Sequence, residues 1–249
     1  MRKIINIILS LVVIISFAKI AYKTYQYYVD KKEYANIQEF SPRITQNIEN
    51  NEVNIWISDN HELNNDYEIS NKEEDLFNIN SEYKFWINIS NSNIDYPVVQ
   101  GIDNDFYLSH NFNKEKNISG SLFIDYQNNI DDDKNIVIYG HNMKNNTMFN
   151  NLNFFKEKDF FNNNIITITR NGRVYKYNVF SVYVIPEEEV SFNMGFSDEN
   201  DYLRYMDELS SKSYFKKDIE FDSSKDMITL VTCSYEYDGA RTIVHAISS

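Results

Sequence analysis

The chain has 249 residues, of which 42% are hydrophobic and 15% aromatic, enough apolar surface for one folded domain with appendages. Its 37 acidic and 24 basic side chains give a formal net charge of −13. This balance disfavours nucleic acid as the main partner, because such binding relies on neutralising phosphates, and it equally disfavours a surface lying on anionic lipid. With 6 glycines and 3 prolines, the composition also excludes collagen-like chains and Pro/Gly-rich disorder.

The N-terminal segment predicts a membrane anchor over residues 1–23. Basic Arg2 and Lys3 precede an almost wholly apolar run, Ile4 to Ala18, and the apolar character continues to Tyr22, about the length that a bilayer requires. A cleavable signal peptide has a similar basic start, but no small-x-small site precedes a change of composition here, so we favour an uncleaved anchor. The basic start predicts a single pass through the cell membrane, with the N-terminus cytoplasmic and the remainder of the chain extracellular.

Residues 24–71 are polar and rich in Asn, Glu, Tyr and Lys, so we predict a juxtamembrane helix followed by a stalk. From residue 72 onward the apolar residues recur at regular spacings, and we assign 72–249 to one folded domain. At its start, four apolar side chains recur at helical spacing and predict a helix: Leu76, Ile79, Tyr83 and Trp86.

Short strands are predicted for most of the remaining chain. The candidate strands are 94–100, 121–126, 135–139, 165–170 and 173–185. Asn171-Gly172 separates the last two and is the strongest hairpin signal in the chain. A short helix is predicted within 147–161, and Ser197 is the expected N-cap of another whose buried face begins at Tyr202. Many short strands with few helices are typical of a closed barrel or a sandwich.

The last two predicted strands carry the one cysteine of the chain and a nearby arginine. Cys233 follows the apolar run 227–231, and Arg241 opens the run 242–247, so neighbouring strands would place a thiol beside a guanidinium at one rim of the sheet. His141 ends another strand-like run, 135–140. A thiol, an imidazole that takes and returns a proton, and a permanent cation are the parts of a thiolate acyl-transfer site.

Each of these residues also has a simpler interpretation. A free cysteine is commonly a small buried hydrophobe, whereas a nucleophilic thiol, whose unperturbed pKa is ~8.5, needs a neighbour that favours the thiolate or takes its proton. His245 lies on the same strand face as Arg241 but about 13 Å away at ~3.3 Å per residue, too far to share its site. His61 and His110 fall in polar segments and are expected to be solvated.

No cofactor or metal is predicted. Asp131-Asp132-Asp133 lacks the alternate spacing of a calcium loop, and no Cys/His cluster has the spacing of zinc ligands. Glu236 and Asp238 follow the cysteine and either orient other groups or are simply solvated.

These residues resemble the sortases, the cysteine transpeptidases of Gram-positive cell walls. The resemblance rests on Thr229-Leu230-Val231-Thr232-Cys233, on Arg241 in the next strand and on Gly140-His141 after an upstream strand. It extends from about Leu76 to the C-terminus. Four further segments are similar to class B sortases in particular: Phe85-Trp86-Ile87, Asp95 to Gln100, Ser119 to Tyr126 and Tyr139 to Met143.

The resemblance implies a mainly β fold, the eight-stranded sortase-type barrel with N-terminal helices and a helix before the cysteine-bearing strand. It implies that Cys233 is the nucleophile, that His141 is the acid and base, and that Arg241 stabilises the oxyanion. By position it also implies substrate contacts at Asn104, Leu108 and Thr232. Class B members often have Ser where this chain has Val231, so a polar contact from that side chain is lost here.

The implied reaction cleaves a C-terminal sorting motif similar to Asn/Ser-Pro-x-Thr-Gly on another exported protein. A thioacyl enzyme forms, and an amine of peptidoglycan or of its lipid-linked precursor resolves it, without a cofactor. Two alternatives stay open. One is a different cysteine acyl-transferase or protease, and the other is a non-catalytic wall-binding module on the same scaffold.

Overall fold

The computed structural model of this chain describes residues 2–42 and 72–249. In this part of the chain eight strands form one closed barrel in the order β1-β2-β3-β4-β7-β8-β6-β5. Their bounds are β1 Tyr83–Ile89, β2 Asp95–Val99, β3 Leu122–Ile124, β4 Asn135–Tyr139, β5 Ile165–Arg170, β6 Arg173–Pro186, β7 Met227–Cys233 and β8 Ala240–Ser248. The pairs β2–β3 and β4–β7 are parallel and the other pairs are antiparallel. The predicted mainly β barrel is confirmed.

Helices precede the barrel strands and lie in the connections between them. Their bounds are α1 Arg2–Gln38, α2 72–79, α3 Lys158–Asn163 and α4 Glu199–Lys212, with 3-10 helices at Phe106–Leu108, Phe149–Lys156 and Glu187–Glu189. Helix α4 precedes the cysteine-bearing strand β7, as expected. The short helix predicted within 147–161 is a 3-10 helix followed by α3.

The helix predicted through Tyr83 and Trp86 is wrong in its second half. Helix α2 ends at residue 79, and both aromatic residues belong to β1. Asn80 lies between α2 and β1 and supports the turn there, because its side-chain Oδ1 accepts a hydrogen bond from the Glu82 amide at 2.9 Å. Spacings of three and four residues also suit a strand that is buried on both faces, and β1 pairs with β2 on one side and β5 on the other.

Two predicted turn signals have different outcomes. The Asn171-Gly172 hairpin is confirmed, since both residues have positive φ (52° and 73°) and Arg170 pairs with Arg173. The N-cap of α4 is Asp198 rather than Ser197. The carboxylate of Asp198 accepts from the Asp201 amide at 2.9 Å, and Ser197 instead donates to the side chain of Asp201.

Helix α1 is continuous from the apolar segment to the barrel. Its apolar part has a mean hydropathy of 2.5, and none of it is buried in the protein. By length and composition α1 can therefore cross a membrane, and a signal sequence meets the same two criteria. Its last turns pack on the barrel, where Asp30, Tyr34 and Ile37 are buried. Residues 43–71 of the predicted stalk, with His61, lie outside the described residues.

Two apolar layers fix the barrel. Its interior is filled by side chains such as Ile87, Ile138 and Leu230, all fully buried. A second cluster joins the outer face of the barrel to α4, and its members include Met206 and Leu209 of the helix and Val231 and Ile243 of the strands. Helix α4 contacts β6 directly, where the Ser181 hydroxyl donates to the Leu209 carbonyl at 2.6 Å.

Candidate active site

Cys233 and Arg241 stand directly opposite each other in the β7–β8 pair. Antiparallel partners in adjacent strands have side chains on the same face of the sheet, so the thiol and the guanidinium share one rim of the barrel. The connection between them, residues 234–239, is closed by hydrogen bonds from the Ser234 amide to the Ala240 carbonyl (2.7 Å) and from the Ala240 amide to the Tyr237 carbonyl (3.3 Å).

His141 reaches the same rim through the parallel pair β4–β7. The register ends at Tyr139 opposite Val231, and Gly140 leads the chain to His141. A Cβ at Gly140 would lie 2.3 Å from Leu122 Cδ2 and 2.8 Å from Phe149 Cδ2, so only glycine fits where the segment turns. The Thr232 hydroxyl donates to the Gly140 carbonyl at 2.7 Å and ties this turn to the cysteine strand.

The imidazole of His141 is held by a backbone carbonyl. Its Nε2 lies 2.7 Å from the carbonyl oxygen of Leu108. Because a carbonyl oxygen only accepts, Nε2 carries the hydrogen, and Nδ1 is the free nitrogen of the neutral ring. The 3-10 helix Phe106–Leu108 therefore orients the imidazole and selects its tautomer.

The guanidinium of Arg241 is held on two sides. Its Nη2 lies 2.6 Å from a carboxylate oxygen of Glu187, and its Nη1 donates to the carbonyl oxygens of Gly239 and Ala240 at 3.4 and 3.2 Å. Glu187 begins the 3-10 helix after β6 and is largely exposed, so the ion pair lies at the solvent edge of the site. No motif or periodicity in the sequence pointed to Glu187.

One cavity of about 450 Å³ joins these groups. Besides His141, Cys233 and Arg241, its lining comprises Asn104, Leu108, Phe123, Tyr139, Gly140, Glu187, Val190, Val231 and Thr232. Apolar walls around a few convergent polar groups are typical of a small-ligand or peptide site. The thiol, the imidazole and the guanidinium thus face a common space large enough for a few residues of peptide.

The three residues predicted as substrate contacts all line this cavity, and each makes a contact of its own. Asn104 donates to Asp125 at 3.0 Å and accepts from the Tyr126 amide at 3.0 Å. Leu108 exposes its side chain while its carbonyl holds His141. Thr232 is buried, with its hydroxyl committed to Gly140.

Tyr139 forms the floor of the cavity beside Asp125. Its hydroxyl donates to Asp125 Oδ2 at 3.0 Å. Burial raises the pKa of Tyr139, and the neighbouring carboxylate raises it further, so the phenol stays protonated and keeps donating. Asp125 thus accepts hydrogen bonds from both Asn104 and Tyr139 and connects two walls of the cavity.

The competing histidines lie elsewhere. His245 is fully buried between Tyr183, whose hydroxyl is 2.9 Å from Nε2, and Thr229, whose hydroxyl is 2.8 Å from Nδ1. Its role is therefore structural, within the core. His110 was expected to be solvated, but it is half-buried and stacks on Phe106 with ring centroids 4.0 Å apart.

The acidic candidates have structural partners. Asp131 pairs with Arg170 at 2.7 Å, and Glu236 pairs with Lys156 at 2.6 Å. Lys156 also donates to Ser234, so Glu236 helps to hold the segment after the cysteine. Within residues 2–42 and 72–249, no group of three or more His, Cys, Asp or Glu side chains could hold a metal ion.

The chain is similar to known proteins across this whole domain. A family model for the sortase domain matches residues 87–248. Sortase B of Listeria monocytogenes is 32% identical over 186 residues, which cover 74% of this chain and 76% of that protein. Among solved structures, a cysteine-to-serine variant of Clostridium perfringens sortase B is 40% identical, with a TM-score of 0.79, and the match covers 88% of this chain and 98% of that one. A Staphylococcus aureus sortase B–substrate complex is 30% identical, with a TM-score of 0.67, over 72% of this chain and 85% of that one.

The family model covers more than half of the chain, and the closed eight-stranded barrel agrees with the match to solved sortase B structures. The chain belongs to the sortase family and is a class B cysteine transpeptidase.

Proposed function

We propose that the protein is an outward-facing, membrane-anchored sortase that cleaves a Pro-x-Thr-Gly-like sorting motif on another exported protein. The observation that carries this proposal is the single cavity lined by Cys233, His141 and Arg241, with Cys233 and Arg241 in direct register. The sortase B of Staphylococcus aureus has been solved as a complex with substrate, which supports a bound peptide in the corresponding cavity here.

Cys233 is the proposed nucleophile. His141 takes the thiol proton as the sulfur forms a bond to the carbonyl carbon of the motif threonine. The Thr–Gly C–N bond then breaks as that proton passes from His141 to the leaving amine. An incoming amine then attacks the thioacyl carbon and gives up a proton to His141. The new amide forms as the thiolate leaves, so no oxidant, metal or cofactor is required.

Arg241 is the proposed oxyanion stabiliser. Its guanidinium faces the same cavity as the thiol, so it can donate to the carbonyl oxygen as negative charge develops there. Backbone carbonyls and Glu187 hold it in place beforehand, which lowers the cost of ordering the side chain in the transition state.

Residues 1–23 are the proposed anchor and 72–249 the proposed catalytic domain. The basic start of the chain favours a cytoplasmic N-terminus, and the continuity of α1 supports a domain carried close to the outer membrane face. There the enzyme would meet its second substrate, an amine of peptidoglycan or of its lipid-linked precursor. The product would be an exported protein joined covalently to the cell wall.

Intact-mass spectrometry tests this function on the full chain in detergent micelles. The protein is incubated with a small set of Pro-x-Thr-Gly peptides, with and without a glycine-based amine. We expect a mass increase equal to the acyl half of one peptide, its loss when the amine is added, and the matching amide product. Cys233→Ala should give neither species.

The alternatives give different results in the same experiment. A protease releases the carboxylic acid and makes no amide when the amine is present. A wall-binding module gives no adduct, and in cells its Cys233→Ala variant keeps its role. If no peptide reacts while Cys233 is readily alkylated, the motif set is wrong; if Cys233 is also inert in the folded protein, the catalytic proposal is overturned.

A further inference from the structure

The backbone pairing between the histidine and cysteine strands stops before it reaches either residue. The β4–β7 ladder ends at Tyr139 opposite Val231, two residues before both His141 and Cys233. Something other than the ladder must therefore hold the two reactive side chains at a constant separation.

The side chain of Asn142 makes this connection. It follows His141 directly, is 5% exposed, and donates from Nδ2 to the carbonyl oxygen of Cys233 at 2.7 Å. A bond thus joins the residue next to the imidazole to the backbone of the residue that carries the thiol. The two bonded residues are 91 positions apart in sequence, and their bond continues the β4–β7 pairing where the main chain no longer does so.

The orientation of this amide is fixed by its second partner. Asn150, in the 3-10 helix Phe149–Lys156, donates to Asn142 Oδ1 at 2.8 Å. The carbonyl of Cys233 can only accept, so it requires the NH₂ end of the Asn142 amide, while the Asn150 NH₂ requires the oxygen end. Both partners select the same rotamer, and a satisfied buried amide of this kind is rigid.

Three further hydrogen bonds hold the residues on either side of His141. The Tyr235 hydroxyl, two residues after the cysteine, donates to the Asn142 carbonyl at 2.7 Å. On the other side, Thr232 donates to the Gly140 carbonyl at 2.7 Å, and the Gly140 amide donates to the Val231 carbonyl at 3.2 Å. The histidine is therefore flanked by bonds to the cysteine segment before and after it.

We propose that Asn142 is a positioning residue that sets the separation and orientation of the His141 imidazole relative to the Cys233 thiol. This inference rests on the proposed function of those two groups. A displacement of about 1 Å between reacting groups costs about 100-fold in rate, so a single side-chain bond at this place can control the chemistry without touching substrate.

A double-mutant cycle on thiol reactivity tests the proposal. Iodoacetamide is small and neutral and alkylates Cys233 without any sorting peptide, so the rate does not depend on knowing the motif. The rate is measured at about pH 7.5 for the full-length wild-type chain, Asn142→Ala, His141→Ala and the double variant. We expect each single substitution to slow alkylation about 10-fold, because each removes the contribution of an aligned imidazole.

The double variant gives the decisive result. If Asn142 acts through His141, the double variant reacts no more slowly than His141→Ala alone. Multiplicative effects would overturn the proposal, because Asn142 would then act independently of the imidazole. A wild-type rate in Asn142→Ala would overturn it as well.

A matched control separates positioning from folding. Asn135 is a fully buried asparagine at the other end of β4, and it also uses its amide in hydrogen bonds, to the Asn193 carbonyl and from Thr229. Asn135→Ala should lower the thermal midpoint but change the alkylation rate less than about 2-fold, since it does not touch the site. An equal loss of reactivity in both variants would assign the effect to general destabilisation and overturn the proposal.

Two milder variants keep the test readable if Asn142→Ala does not fold. Asn142→Asp has the same shape and still accepts from Asn150, but it presents an oxygen to the Cys233 carbonyl, so alkylation should slow at least as much. Tyr235→Phe removes one hydroxyl from an exposed ring and should slow it by a smaller factor. Wild-type rates in both would overturn the proposal. A wild type that reacts with no peptide and whose Cys233 is also inert to alkylation would count against the proposed function instead.

Discussion

Arg241 Nη2 lies 2.6 Å from Glu187 Oε2, while the backbone of Arg241 is paired with that of Cys233. The proposed oxyanion donor is thus fixed to the cysteine strand by its main chain and to the start of the long β6–β7 connection by its side chain. Glu187 also lines the cavity. One ion pair therefore joins the β6–β7 connection, which forms part of the cavity wall, to the Arg241 guanidinium that would stabilise the transition state.

Arg241→Lys should reduce kcat for peptide cleavage by about 100-fold or more, comparable to the loss of one oxyanion donor. Lysine keeps the charge but cannot bond Glu187 and the two backbone carbonyls together as the planar guanidinium does. Glu187→Gln is the matched control. It retains an acceptor for Arg241 and should change kcat less than about 10-fold, and a larger loss there than in Arg241→Lys would contradict the assigned roles.

Gly140→Ala should destabilise the fold by about 1–3 kcal/mol, the usual cost of overpacking, because the new methyl group meets Leu122 and Phe149. The rate of peptide cleavage should fall by more than the loss of folded protein explains, because a displacement of the backbone at Gly140 also displaces His141. Urea denaturation and kcat measurements check both expectations. Gly195→Ala is the control, with no atom within 4 Å of its added Cβ, and it should change stability by less than about 0.5 kcal/mol.

Asp30→Ala should loosen α1 from the barrel. Asp30 accepts from Asn117 and Ser119, both at 2.8 Å, and these buried donors would lose their partner at a cost of about 1–3 kcal/mol. Limited proteolysis of the full chain in micelles should then cut between α1 and the barrel more quickly. Lys32→Ala, on the exposed face of the same helix, should leave the cleavage rate unchanged.

His245 should contribute stability at neutral pH that is lost as the pH is lowered. Burial, and to a smaller degree the charge of Lys212, lowers the pKa of His245 from its ordinary 6.5 to about 3. Between these values the unfolded chain binds a proton that the folded chain does not, so folding free energy is lost at up to ~1.4 kcal/mol per pH unit as pH falls below about 6.5.

The contribution of His245 must be measured as a difference. Burial raises the pKa of Asp30, Glu33 and Glu73, and those groups favour the folded state as pH falls, opposite in sign to His245. Denaturant titrations of wild type and His245→Gln from about pH 5 to 8 isolate the effect. We expect the free energy of unfolding of His245→Gln to decrease less than that of the wild type as the pH is lowered. An equal pH dependence in the two proteins would contradict the contribution assigned to His245.

Local sequence determined the elements whose partners are near in the chain. The Asn171-Gly172 hairpin requires only that two residues adopt positive φ, and Cys233 and Arg241 are paired because a short connection joins β7 to β8. Local spacing gave a wrong prediction at Trp86, because the apolar spacing that predicted a helix also fits a strand buried on both faces. Only the neighbouring strands β2 and β5 decide between these two structures.

The relationships that complete the site were decided by tertiary structure. Leu108 holds His141 across 33 residues, and Asn142 holds Cys233 across 91. Neither contact leaves a periodic signal in the sequence, because a single side-chain hydrogen bond has no repeat and its partner depends on the parallel β4–β7 register. The sequence by itself therefore determined which chemical groups the protein carries, whereas closure of the barrel determined their separation and orientation and the residues that hold them.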